Sequence, residues 1–338
     1  MRLAGPVAVV LIAIAIAVIG STMFHHASTA PSVSSNWGGY AATARGSTAS
    51  VSFGAASATW RQPKLRCTKD DAGAASSVWV GIGGYNTKSQ RLDQVGTEAD
   101  CSMAAQPIYD SWYELLPAGA VRLPVTVRPG DAITASVRLE ESGREVRLRL
   151  ADRTLGTSVT RYLAVSRSDS TSAEWIVEAP ATCNRTLCRT LPLADFGTVT
   201  FSGISVTGNG HTGTLSDPHW AAERILLLPA AAHAYSPGAR QRPVGAAKSR
   251  AGALASGLSE RGASFVVTWE ASVPRDVWRL LVRPMPRPRS PALPLVSGCH
   301  PASPALSCFS DGARGVSYSK ASRSTRTNSV PRTAAVSA

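Results

Sequence analysis

The chain has 338 residues, 44% of them hydrophobic, enough to bury a sizeable core without depending on disulfides. Its net charge of +13 suggests a nucleic-acid partner, but 15 Lys and Arg against 4 Asp and Glu fall from Tyr235 onward and carry +11 of it. The body before Tyr235 is close to neutral, which speaks against a phosphate-binding surface and leaves a basic, solvated extension.

In chain order, Met1 to Ala30 reads as an export signal. Arg2 gives a positive start, Leu3 to Gly20 is uncharged and mostly apolar, and Ser28-Thr29-Ala30 offers small residues for cleavage. If uncleaved, the apolar run is long enough to act as a membrane anchor. Either outcome places the body outside the cytoplasm. Short strands separated by turns follow. They are expected at Ala58–Arg61, Val78–Ile82, Ile108–Leu115, Val121–Val127, Ile133–Leu139, Glu145–Leu150, Ser158–Ala164, Ala173–Glu178, Val199–Val206, Glu223–Leu228 and Phe265–Glu270. No long stretch keeps a helical period. The pattern predicts an all-β, antiparallel β-sandwich of jelly-roll or concanavalin-like type over residues 31–273. Ser236–Ser256 is expected as a loop. Residues 274–338, with the run Arg283-Pro284-Met285-Pro286-Arg287-Pro288-Arg289, are expected as a disordered basic tail.

Six cysteines allow 15 pairings. Their spacing and the export signal favour Cys67–Cys101 and Cys183–Cys188, then Cys299–Cys308. No C-x-x-C pair, H-E-x-x-H, G-x-S-x-G or P-loop occurs, so neither a metal nor another cofactor is expected. His211, His219 and His233 are isolated in sequence and read as surface or turn residues. A nucleophile backed by histidine is therefore poorly supported.

Carboxylates and amides set into apolar strands remain. In Ala173-Glu174-Trp175-Ile176-Val177-Glu178, alternation puts both glutamates on one face with Ile176. That face could simply meet solvent. In Gln94-Val95-Gly96-Thr97-Glu98, Gln94 and Glu98 share a face with Gly96, which would leave room for a ligand. In Tyr109-Asp110-Ser111-Trp112-Tyr113-Glu114, two carboxylates flank an indole.

These segments, with Ser35-Asn36-Trp37-Gly38-Gly39-Tyr40, Val78 to Gly84 and Leu193 to Val199, occur in an order that resembles the glutamic peptidase (eqolisin) family, in a bacterial form. The resemblance implies two packed antiparallel sheets, one of them bent into a substrate groove. It implies a catalytic Glu178 and Gln94, with Trp79, Glu98, Asp110, Trp112 and Glu114 lining the groove and supporting the pair. The family's usual I-D-G reads Ile82-Gly83-Gly84, so an acidic groove residue is missing.

Such a pair makes chemical sense. A carboxylate can take a proton from attacking water and return it to the leaving nitrogen, and a non-titrating amide can donate to the oxyanion. The expected protein is a secreted, monomeric endopeptidase acting on polypeptides at acidic pH. It has no nucleic-acid partner and touches a membrane only through a retained N-terminal segment. The alternatives are a jelly-roll glycosidase using Glu114 and Glu178, or a binding module presenting Trp79, Trp112 and Trp175.

Overall fold

A computed structural model describes residues 30–46, 50–86, 91–140, 143–183, 188–228 and 251–273. The proposed export segment before Ala30, the tail from residue 274 with Cys299 and Cys308, and His233 lie outside these residues. The strands are β1 (Ser32–Ser34), β2 (Trp37–Thr43), β3 (Phe53–Arg61), β4 (Ala75–Ile82), β5 (Asp93–Cys101), β6 (Pro107–Leu115), β7 (Val121–Arg122), β8 (Ala132–Leu139), β9 (Glu145–Asp152), β10 (Thr157–Ala164), β11 (Ser172–Glu178), β12 (Ala181–Cys183), β13 (Cys188–Thr190), β14 (Thr198–Gly208), β15 (His211–Gly213), β16 (Ala221–Leu227), β17 (Gly252–Ala255) and β18 (Phe265–Glu270).

Apart from β12 and β13, which pair only with each other, they form two packed layers that share one strand. One layer runs β10-β9-β8-β3-β14, with β15 added to β14. The other runs β14-β18-β17-β16-β2-β11-β4-β5-β6-β7, with β1 beside β16 in the one parallel pairing among the described strands. Thr198–Phe201 of β14 pairs with β18, while its later half pairs with β3 after a register shift between Ser202 and Ser205. The shift turns one strand from the first layer into the second.

Period-two alternation sends Trp60, Val137 and Leu148 from one layer and Val78, Val95 and Trp175 from the other into a common core. The indoles that enter this core keep partners for their N–H groups. Trp60 Nε1 donates to Thr97 Oγ1 at 3.3 Å, and Trp175 Nε1 donates to the Ser57 carbonyl at 3.0 Å, both across the layers. The all-β antiparallel sandwich expected from the sequence is thus observed.

Several elements differ from expectation. The expected strand Val121–Val127 pairs only over Val121–Arg122. Leu123, Val125 and Val127 are still buried, but Pro124 has no N–H to give a ladder. Gly252–Ala255, expected in a loop, is β17, seated between β16 and β18. Strand β2, rich in Gly and Ala, gave no strand signal, and is stabilised by pairing with β11 and β16 on either side. Cys67 and Cys101 are disulfide-bonded. Cys183 and Cys188 stand opposite each other in the β12–β13 register.

Candidate active site

The outer face of the second layer carries the residues that alternation turns away from the core. Cross-strand register arranges them in rows. One row is Trp37, Glu178, Ser77, Glu98 and Asp110 on β2, β11, β4, β5 and β6. The next is Gly39, Ile176, Trp79, Gly96 and Trp112, and the third is Ala41, Glu174, Gly81, Gln94 and Glu114. Trp37, Trp79, Trp112, Ile176 and Leu92 form a small apolar cluster on this face, with the Trp37 and Trp79 rings edge to face at 4.9 Å.

All seven expected site residues therefore share one face, and four of them are joined in two bonded pairs. Trp79 Nε1 donates to Glu178 Oε2 at 2.8 Å, and Asn36 Nδ2 donates to Glu178 Oε1 at 2.9 Å. Gln94 Nε2 donates to Glu114 Oε2 at 2.7 Å. Burial pushes the Glu178 carboxyl up to about 8; the Trp79 bond opposes this, the Glu114 charge adds to it, and the Asn36 bond opposes it. Glu114 is raised by burial against the Gln94 bond. Two polar N–H donors on a carboxylate set among indoles fix its orientation as an acceptor on both oxygens.

Glu98 and Asp110 form a second acidic group with Asp100. Burial and the Asp100 charge raise Glu98 to about 7, and burial and the Asp110 charge raise Asp100 to about 6. Asp110 is ion-paired with Arg122 of β7.

Some readings change. The glutamate face of β11 is not a solvated surface: Glu178 is half-buried, and Glu174 is fully buried, which holds its carboxyl well above the usual range. Gly96 does not open space for a ligand. A Cβ there would meet the Val78 carbonyl at 2.3 Å and the Trp79 Cβ at 2.5 Å, so the missing side chain admits Trp79. Trp175 faces the core and cannot present an indole in the groove. Gly83 lies at φ +86°, and a Cβ would stand 2.5 Å from the Asp169 carbonyl, which explains why no acidic side chain occupies it. Asp169 itself brings a carboxylate there, its Oδ2 lying 3.5 Å from the Gly84 amide nitrogen. His211 and His219 are not isolated, since both bond Asp217.

Asn36, Asp100 and Glu174 were not assigned in sequence. Asp100 follows Glu98 by two residues on β5, and Glu174, already placed on the Glu178 face by alternation, lies four residues before it on β11. Asn36 precedes β2 and reaches Glu178 from 142 positions away, a contact no local pattern carries.

The two-layer β structure thus carries a fixed carboxyl and an amide on one sheet face, with no histidine among the residues of that face described above. The model of the Peptidase A4 family matches residues 35–223, and the chain belongs to that family. Aspergillopepsin-2 of Aspergillus niger is 32% identical over 181 residues, 51% of this chain and 58% of that protein. The chain thus spans a little over half the length of this curated relative. Scytalido-glutamic peptidase bound to a transition-state analog inhibitor is 25% identical with a TM-score of 0.53, covering 70% of this chain and 98% of that one. SCP-B, an eqolisin-family peptidase in complex with the tripeptide Ala-Ile-His, shares the fold at 24% identity with a TM-score of 0.50, over 70% of this chain and 98% of that one.

Proposed function

We propose that this protein is an exported endopeptidase that hydrolyses peptide bonds in unfolded polypeptides, with Glu178 as the proton acceptor and Gln94 as the oxyanion donor. The observation that carries the reading is the Glu178 carboxylate held by Asn36 and Trp79 on the sheet face that also carries Gln94. Glu178 takes a proton from the attacking water and returns it to the leaving nitrogen. Gln94 spends one N–H on Glu114 and keeps a second for the oxyanion. Glu114 orients that amide, Trp79 orients Glu178, and Trp112 with Glu98 and Asp110 borders the groove. The solved relatives named above were bound to a peptide or a transition-state analog, which supports a polypeptide substrate. Family membership favours peptide over glycoside hydrolysis.

The Cys67–Cys101 bond supports an oxidising, extracellular compartment. In this reading residues 1–30 direct export, 31–273 form the catalytic domain and 274–338 lie outside it. The test is digestion of denatured protein by the purified full chain from acidic to neutral pH. Wild type cleaves, and Glu178→Gln does not. Cleavage by a correctly folded Glu178→Gln variant overturns the assignment.

A further inference from the structure

The strongest unassigned constellation lies at the β14–β15 hairpin and the turn after it. His211 opens β15, opposite Gly208 of β14. Asp217 follows in a turn closed by its own N–H on the Thr214 carbonyl. His219 immediately precedes Trp220, whose buried ring packs against Phe53 and whose Nε1 donates to the Thr214 carbonyl at 2.9 Å. The turn is therefore anchored to the core at its end, and its three polar side chains are held over that anchor.

His211 Nε2 lies 2.8 Å from Asp217 Oδ2, and His219 Nδ1 lies 2.7 Å from Asp217 Oδ1. The two imidazoles are 4.1 Å apart between centroids. All three ligand atoms fall within 4.8 Å of one another. The Asp217 side chain is only 14% exposed, while His211 and His219 are 43% and 61% exposed, so an ion can reach the donors from solvent.

We infer that His211, Asp217 and His219 form a binding site for a first-row transition-metal dication, with zinc as the ion best matched. Two imidazoles select such ions over calcium or magnesium, which prefer oxygen ligands. Three protein ligands leave the fourth tetrahedral position to water. Ligands about 2.0–2.1 Å from a tetrahedral ion stand roughly 3.3 Å apart, and with one oxygen of Asp217 as ligand the three donor atoms already lie within 4.8 Å of one another. The ion replaces the shared protons and ties the hairpin to the lead of β16, which pairs with β2 beside the candidate active site. The site is not part of the Glu178–Gln94 pair and does not depend on the proposed peptidase chemistry.

The experiment is calorimetric titration of the full chain with zinc chloride at neutral pH, alongside His211→Gln and His219→Gln. Both histidines are solvent-exposed, and circular dichroism checks that the variants fold. The expected result is one zinc per wild-type chain, a raised melting temperature, and no response to magnesium. Each variant should lose more than the roughly 10–100-fold in affinity that removal of a mere supporting partner costs. Cobalt added to wild type should give the visible absorption of a tetrahedral site, absent from either variant. No zinc binding by wild type, or equal binding by wild type and both variants, overturns the proposal.

Discussion

Glu178→Gln tests the site through stability as well as activity. The Glu178 carboxyl is raised from 4.5 to about 8 in the folded protein, first by burial. As pH rises above 4.5, the unfolded chain releases this proton while the folded one keeps it. The unfolded state then binds fewer protons, so stability falls with rising pH until the folded carboxyl ionises near 8. At one pKa unit per 1.36 kcal/mol, the penalty at about pH 7 is about 3 kcal/mol, and below about pH 4.5 it vanishes. Glutamine keeps the shape and has no proton to lose.

The variant should therefore match wild type in acid and exceed it near neutrality. For a domain of this size the gain is about 6–12 °C in melting temperature. Thermal melts of both proteins from acidic to neutral pH measure it directly, with peptide hydrolysis assayed on the same samples. A protein that is more stable and inactive is what removal of a strained functional carboxyl predicts. Melting curves of the two proteins that run parallel with pH would show that Glu178 titrates normally and that the enclosed-carboxyl argument is wrong.

Gln94→Ala should lower kcat by about 10²–10³, the usual loss of one oxyanion donor, with little change in KM, and Gln94→Glu should be similarly harmful because an ionised carboxylate cannot donate. Glu114→Gln removes a charge that raises Glu178, so the pH at which Glu178 ionises should move down, read from the acid limb of kcat/KM; an unmoved limb would remove Glu114 from the site's electrostatics. Gly83→Asp, which restores the family's usual acidic residue, should destabilise the fold by at least about 1–3 kcal/mol in chemical denaturation, because it combines a positive φ with the Asp169 backbone. Peptide mapping without reductant should recover Cys183 joined to Cys188, which are register partners in β12 and β13.

The sequence carried the sheet face more clearly than the sheet. Counting in twos put Gln94 with Glu98, and Asp110 with Trp112 and Glu114, on one face of their own strands; that these faces and the Glu178 face coincide is set by cross-strand register. Their burial could not be read this way. Glu174 and Glu178 look solvent-facing until the small apolar cluster of Trp37, Trp79 and Trp112 covers that side. Gly96 looks like an opening until a neighbouring strand brings the Val78 carbonyl and the Trp79 Cβ against it. Of the strands missed, β2 and β17 are rich in Gly and Ala, whose place in a sheet is set by the partners on either side rather than by propensity. Asn36 and the His211–Asp217–His219 group depend on tertiary proximity or on a tight turn, and neither leaves a periodic trace.

The pH behaviour of the site follows from two opposing effects on the same carboxyl. In the acceptor role Glu178 must be ionised, and its ionised share grows with pH and reaches half near 8. Part of what raises it is the Glu114 charge, and Glu114 is itself raised by burial. The Trp79 and Asn36 donors oppose burial and that charge. Rising pH also draws on Glu98 and Asp100, whose raised carboxyls add to the loss of stability over the same range. Activity is then bounded below by protonation of Glu178 and above by loss of the fold. The two limits separate experimentally: Glu98→Gln should extend the upper limit of thermal stability toward neutral pH while leaving the acid limb of kcat/KM in place. An acid limb that moved with Glu98→Gln, at unchanged stability, would assign the lower limit to Glu98 instead of Glu178.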